Sequence, residues 1–409
     1  NSARLVGIDN SGRVFGEIGN AVQFAGAGEH IIAKGFKGVV GDKPRTLSFW
    51  VKTSSLNGSL VNWGTSGDGT DWQVALNNGT IHLDVGNSRL TGTTVLNNNL
   101  NFQFVVSEPL RKNNLSVFFL SAKEKKVDNY LCFSEALKKD LVSVNEVNEK
   151  GSVRYLKISN KSNQKILVLE SELITGNALK QDRVVDRTTL VPENTTIMLQ
   201  VSCCEKNRWS SAVANNISIS DTLFFSKGRL DNSLNIYEKS KTDQFKIWDN
   251  ISERLSDFKI KSFTGSTEEI YQKRKNDIED LLLSFKPKFN SLGVAIAIGN
   301  RIISIDIFGD SNIFNIYFPR ILRSVIIDSY TKKSYQNFIC KENVYKLLRQ
   351  FEKSQKKLHK SPGGCLGDEI KFNNNQVVGS CLQYNDIMIH FSGFLKDNSD
   401  LPQYKSEVA

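Results

Sequence analysis

The sequence predicts a multidomain protein: an N-terminal all-β sandwich followed by a C-terminal mixed α/β (α+β) domain. Three observations predict it. The 409 residues are enough chain for two to three domains. Hydrophobic residues make up 39%, enough to fill real cores. Near residue 104 the texture changes, from short alternating runs between Gly, Asn and Asp turns to longer apolar strands mixed with helix-patterned segments. The expected boundaries are 1–103 for the β-sandwich, 104–396 for the α/β domain and 397–409 for a loose polar tail.

In the first part, "RTLSFWVKT", "GSLVNWG", "DWQVALNN" and "TIHLDVG" alternate as strands between turn residues. Their even spacing argues a sandwich or jelly roll, and no helical pattern interrupts them. In the second part, "LCFSEALKKD" predicts a short helix. "SVRYLKISN", "KILVLESELITG" and "TTIMLQVSCCE" predict strands, and "ISISDTLFF" adds another apolar run. "STEEIYQKRKNDIEDLLLSFK" predicts a helix, with a capping Ser/Thr and acidic residues at its start. "SLGVAIAIGNRIISIDIFGD" predicts a hairpin turning at Gly299-Asn300. "FNIYFPRILRSVIIDSY" and "CKENVYKLLRQFEKSQKKLHK" predict helices, the second stopped by "PGGCLGD". "EIKFNNNQVVGSCLQYNDIMIHFSGF" closes the chain with strands.

Composition narrows the function classes. The formal charge of +10 fits an anionic partner, but no block of like charge concentrates it, so nucleic acid is not expected. No apolar run reaches the roughly 18–20 residues of a spanning helix. The six cysteines form no CxxC pair and no dense framework, so buried free thiols are expected. The four histidines form no HExxH. The chain begins at Asn1, as a processed chain or a fragment would. No feature sets an oligomeric state.

Directly after an apolar strand-like run comes "ALKQDRVVDR", residues 178–187, with five charged residues and a glutamine. On a strand, Gln181, Arg183 and Arg187 share one face and Asp182 and Asp186 the other. Forked guanidinium donors beside an amide suit a carboxylate or a phosphate. The plainer alternative is a solvated face with local ion pairs. "SCCEKNRW" places Glu205, Arg208 and Trp209 after the next apolar strand, where they suit a planar polar ligand. The candidate ligand-binding set is therefore Gln181, Asp182, Arg183, Glu205, Arg208 and Trp209. Candidate catalytic groups are Asp306 near a strand end, Glu205 and His390, although an apolar neighbourhood makes a core role for His390 the plainer reading. "SPGGCLGD" lacks the Gly-Lys-Ser/Thr ending of a phosphate loop. Asp68 and Asp71 in "GDGTDW" are the calcium candidates, against the plainer reading of an ordinary turn. No other cofactor is indicated.

Two resemblances follow from these stretches. "GNAVQFAGAGEHIIAKG", "KPRTLSFWVKT" and the run from "GSLVNWG" to "TIHLDVG" resemble a laminin G-like, concanavalin A-like jelly roll over about residues 16–98. The resemblance implies a strand at Ala21–Phe24 and a core strand at Ser48-Phe49-Trp50. The family's closing strands are replaced by "NNNLNFQFVV", so the jelly roll is partial. "LVLESELITGNALKQDRVVDRTTLVP" followed by "VSCCEKNRW" resembles the domain found associated with ADP-ribosylglycohydrolases and with rhodanese-phosphatase proteins. Glu172, Gly176, Lys180, Gln181, Asp182 and Arg183 match its first block, with Ser171 where the family prefers Gly. Ser202, Cys203, Glu205, Arg208 and Trp209 match the second, with Leu199-Gln200 in place of Ile-Pro. "DQFKIWDNI", "GVAIAIGNRIISIDIFGD" and "VVGSCLQYNDIMIHFSGF" fit later blocks, so the match runs over about residues 113–394.

The second resemblance implies a role near ADP-ribose or NAD-linked metabolism and establishes no reaction. The leading expectation is a ligand-binding or accessory module for a small anionic, nucleotide-like ligand. One alternative is an enzyme of ADP-ribose or nucleotide processing. Another is a surface adhesion or assembly protein whose β domain takes a glycan. The laminin G-like segment implies an extracellular or cell-surface location; without it, a cytoplasmic one is expected.

Overall fold

The computed structural model describes residues 3–8, 13–15, 20–24, 28–33, 47, 57–64, 71–77, 80–85, 88–95, 104–122, 129–209, 216–331, 338–361, 364–385 and 387–396. Ser48-Phe49-Trp50, Asp68 and the 397–409 tail lie outside them. The chain divides into two compact units, Asn1–Ser55 and Leu56–Ala409.

In the first unit, strand β1 (Ala3–Val6) comes first, then β2 (Arg13–Phe15), β3 (Asn20–Val22) and β4 (His30–Ala33). β1 pairs antiparallel with β4, and β2 with β3. The second unit opens with a four-stranded antiparallel meander of β5 (Gly58–Trp63), β6 (Trp72–Asn77), β7 (Thr80–Val85) and β8 (Ser88–Val95). Its alternation shows in β6, where Val74 and Leu76 are buried. Trp63 and Trp72, registered opposite each other, meet edge to face at 5.1 Å.

The following strands are β9 (Val105–Val106), β10 (Leu110–Lys112), β11 (Leu115–Ser121), β12 (Tyr130–Cys132), β13 (Val142–Glu146), β14 (Tyr155–Asn160), β15 (Lys165–Val168), β16 (Glu172–Thr175), β17 (Arg183–Val185), β18 (Thr189–Val191), β19 (Thr196–Cys203) and β20 (Ser218–Leu223). After them come β21 (Ser291–Ile298), β22 (Arg301–Phe308), β23 (Gln355–Lys360), β24 (Asp368–Asn373), β25 (Val377–Tyr384) and β26 (Ile387–Leu395). The helices are α1 (Phe133–Lys138), α2 (Ser226–Lys239), α3 (Gln244–Asp257), α4 (Thr267–Lys273), α5 (Lys275–Leu282), α6 (Ser311–Ser329) and α7 (Lys341–Lys353). The second part is thus mixed α/β, as expected.

A nine-stranded sheet runs β10-β11-β21-β22-β26-β25-β24-β23, with β9 also on β11. The expected hairpin is β21–β22, turning at Gly299 with φ +60°. Helices cover both faces of this sheet. Val294, Ile296 and Ile298 of β21 share a core with Phe314, Tyr317 and Phe318 of α6. Ala295 and Ala297 share another with Val344, Leu347 and Phe351 of α7. A strand covered on both faces has no polar side, which is why "LGVAIAI" shows no alternation. A six-stranded sheet, β13-β14-β19-β17-β16-β20, and a three-stranded sheet, β12-β15-β18, form the rest. The free cysteines Cys132, Cys203, Cys204 and Cys381 are buried; Cys340 and Cys365 are half-buried.

Four segments differ from expectation. "STEEIYQKRKNDIEDLLLSFK" is two helices, α4 and α5, parted at Arg274, whose guanidinium lies over the rings of Phe258 and Tyr330. The expected helix through Lys360 stops at Lys353. Its apolar face of Val344, Leu347, Leu348 and Phe351 ends there, and "QKKLHK" becomes the lysine-rich edge strand β23. Helix α2 has no clear apolar stripe in the sequence, because Ser226, Gly228, Asn232 and Ser233 are among its buried residues. Gly228 is required there: a Cβ would stand 2.1 Å from the Phe224 ring.

Last, "KILVLESELITG" is two strands, β15 and β16, with the chain turning at Leu169–Ser171. Ser171 has φ +69°, the left-handed region that favours glycine. A glycine, which the family resemblance prefers at that position, would take this conformation without strain. Ser171→Gly is expected to relieve the strain and raise stability by about 0.5–1 kcal/mol, read by urea denaturation. An unchanged or lower midpoint would show that the turn carries no such strain.

Candidate functional site

β17 lies inside the six-stranded sheet between β16 and β19, with Arg183 opposite Cys203 and the Cys204 N–H donating to the Asp182 carbonyl at 3.1 Å. This pairing lays residues 181–183 beside the loop that follows β19. Gln244 at the start of α3 pins that loop, bonding the Cys203 N–H and carbonyl at 2.8 and 2.7 Å. Asn207 ties its far side to the carbonyls of Phe263 and Thr264.

All six candidate ligand-binding residues meet here. Arg208 donates from Nε to Glu205 Oε2 at 2.5 Å, from Nη2 to Asp182 Oδ1 at 2.8 Å and from Nη1 to the Leu179 carbonyl at 3.1 Å. Glu205 Oε2 also accepts the Asp182 N–H at 3.2 Å. Gln181 reaches the Lys206 carbonyl at 3.5 Å. Arg183 is fully buried and donates to the carbonyls of Gln181 and Ser152, at 2.7 and 3.3 Å, and to Glu146 Oε1 at 3.4 Å. Its guanidinium lies 5.8 Å from the centre of the Trp209 ring, and Trp209 itself is 49% exposed.

The separation of charges along one strand does not extend over 181–187, because only Arg183–Val185 keeps strand geometry. Arg187 turns away to Glu369 Oε2 and the Ser240 carbonyl, both at 2.8 Å. Asp186 accepts from Ser202 Oγ at 2.8 Å and Thr242 Oγ1 at 3.2 Å. Burial, aided by Glu205 and opposed by Arg208, pushes Asp182 up to about 6. Burial does the same to Asp186, also to about 6, against the hydroxyls of Ser202 and Thr242.

The catalytic candidates fall into two places. Glu205 belongs to the cluster just described. Asp306 of β22 and His390 of β26 sit in a second buried network. Arg229 of α2 donates to Asp306 Oδ1 at 2.5 Å and Oδ2 at 3.3 Å. Burial raises the Asp306 carboxyl, but Arg229 and His390 outweigh it and hold it below its ordinary value. Lys371, Ser380, Ser392 and Asp306 are registered side by side across β24, β25, β26 and β22. Glu170, from the turn before β16, accepts from Ser392 Oγ at 2.5 Å. Sequence reasoning missed Glu146, Glu170, Arg229, Glu369 and Lys371. The available signal was a polar residue at one position of each of four strands, Lys371, Ser380, Ser392 and Asp306, which register alone aligns. Among the described residues no three His, Cys, Asp or Glu side chains gather as a metal site. Asp71 is described; its expected calcium partner Asp68 is not.

Fold and clusters together define a mixed α/β domain built around arginine–carboxylate networks at strand ends. The family model of the ARG and Rhodanese-Phosphatase-superfamily-associated Protein domain, ARPP-1, matches residues 103–394, and the chain belongs to that family. No curated protein and no solved structure matches the chain. No helix among the described residues is long and apolar enough to cross a membrane.

Asp186 generates a pH prediction. Its carboxyl is raised from 3.8 to about 6 in the folded protein, so the folded state prefers it protonated. Its stabilising contribution is full below pH 3.8 and is lost as pH rises through about 6. The loss is about 3 kcal/mol for a shift of roughly two units. Asp186→Asn is therefore expected to be more stable than the wild type at pH 7.5 and to lose that advantage at pH 4, by urea denaturation. An equal difference at both pH values would contradict it.

Proposed function

We propose that the chain is a ligand-binding or accessory module, and that residues 181–209 present Trp209 to the planar base of an anionic, nucleotide-like, ADP-ribose-related ligand. One observation carries the proposal: a half-exposed indole is held at 5.8 Å from a fully buried guanidinium. Exposed aromatic faces stack on bases at about 1–3 kcal/mol each. Asp182, Glu205 and Arg208 hold the loop so that the indole pays little ordering entropy on binding. Gln181 reaches the Lys206 carbonyl, and the exposed Lys206, whose ammonium lies over the Trp248 ring, adds a positive charge to the same loop. The family's association with ADP-ribosylglycohydrolase and rhodanese-phosphatase proteins supports this ligand class.

Titration with ADP-ribose, AMP and inorganic phosphate, followed by tryptophan fluorescence and thermal shift, tests the proposal. ADP-ribose and AMP are expected to bind and phosphate alone much more weakly. Trp209→Ala should weaken ADP-ribose by roughly tenfold or more, the equivalent of one lost stacking contact. Its unfolding midpoint should change little, because half the indole is already in water. Absence of any shift with the wild type would reject the proposal.

A further inference from the structure

The loop that carries Trp209 has a second neighbourhood, on the side facing α3 and the turn before α4. Phe245, the second residue of α3, is 74% exposed, and Phe263, in that turn, is 91% exposed. The loop joins them. Asn207 donates its backbone N–H to the Thr264 carbonyl at 2.9 Å and its Nδ2 to the Phe263 carbonyl at 3.2 Å. The Lys206 ammonium lies 5.7 Å from the centre of the Trp248 ring, and that ring meets Phe245 edge to face at 5.8 Å. Phe263, Lys206, Trp248 and Phe245 thus follow one another in a single patch.

Both exposed rings stand on a fixed backbone. Ser262 Oγ accepts the N–H groups of Gly265 and Ser266 at 2.7 and 3.2 Å and donates to Glu269 Oε1 at 2.6 Å. Asp243 caps α3, accepting the N–H groups of Phe245 and Lys246 at 3.1 and 3.3 Å. The phenyl groups are therefore held in water by bonded turns. Apolar groups gathered at a surface in this way mark a contact with a partner or a membrane.

Charge and shape select between these. Residues 258–264, "FKIKSFT", carry two lysines and no carboxylate. Lys206, Lys259 and Lys261 are all exposed; the opposing exposed carboxylate is Asp249, one helical turn after Phe245. The chain as a whole is at +10. The occupant is thus anionic. The rings project singly, one from a turn and one from a helix start. An acidic peptide would need walls to hold its own side chains. A bilayer needs none: single rings enter the acyl boundary while the lysine stems follow them and leave their ammonium groups among the headgroups.

We propose that this patch docks the protein on an anionic lipid bilayer, with Phe245 and Phe263 inserted at the interface and Lys206, Lys259 and Lys261 among the acidic headgroups. Two rings and three ammonium groups make a reversible, peripheral contact, and salt weakens its electrostatic part. Trp209 stands at the other end of the loop with its ring against Arg183, so the proposal does not rest on a nucleotide binding there.

The test is sedimentation of the full chain with vesicles of phosphatidylcholine, with and without phosphatidylserine. The protein is expected to sediment with the phosphatidylserine vesicles, far less with phosphatidylcholine alone, and to be released by raised salt. The double variant Phe245→Ala, Phe263→Ala should lower the ratio of bound to free protein by about tenfold or more, the scale of losing two buried rings. Its unfolding midpoint should not move, because both rings are already in water. Lys259→Gln with Lys261→Gln should remove most of the preference for phosphatidylserine. Trp209→Ala should sediment as the wild type does, which separates this surface from the nucleotide site. A wild type that stays in solution with both kinds of vesicle overturns the proposal, even if it binds an acidic peptide or a single-stranded oligonucleotide. So does a phenylalanine double variant that sediments as well as the wild type.

Discussion

An arginine removed from water needs a carboxylate inside the protein, and four such pairs tie elements of this chain together. Arg320 of α6 meets Glu172 of β16. Arg229 of α2 meets Asp306 of β22. Arg187, just past β17, meets Glu369 of β24. Arg254 of α3 meets Asp328 of α6 at 2.8 Å. Each pair joins two different elements. Removing one member of a buried pair costs about 3–5 kcal/mol, because a lone charge is left behind. Apolar packing tolerates small slips between layers; these pairs do not.

The same constraint gives residues 181–188 their place. The segment is only briefly a strand, yet it supplies charged groups to three neighbourhoods. Asp182 and Arg183 serve the loop carrying Trp209. Asp186 serves the hydroxyls of Ser202 and Thr242. Arg187 and Thr188 reach the polar row on the nine-stranded sheet. One short piece of chain thus ties the six-stranded sheet to the nine-stranded one. The half-exposed indole of Trp209 sits near its first end.

Much of the architecture was legible in the sequence. The β21–β22 hairpin, the closing strands β24–β26 and the short helix α1 follow from apolar runs and turn residues acting locally. The grouping of Gln181, Asp182, Arg183, Glu205, Arg208 and Trp209 was legible through motif order, since one polar block opens β17, the other follows β19, and those two strands pair side by side. Helix α2 was not legible. Its buried face is polar and small, so no hydrophobic period marks it, and Gly228 is there to admit Phe224. The extra turn at Ser171 was hidden because "KILVLESELITG" is apolar on both sides of it, and sequence periodicity does not register a reversal.

The sequence by itself determined which segments are strands and helices over most of the second unit. It also determined the family, because apolar periodicity and motif order are properties of neighbouring residues. Only the tertiary structure decided where the charges go. Asp306 and Ser392 are 86 residues apart in number, yet β22 and β26 register them opposite each other. Glu205 and Asp306 were candidates for one site and occupy different networks, each with its own arginine. Pairing register and burial set these partners, and both arise only when distant strands come together.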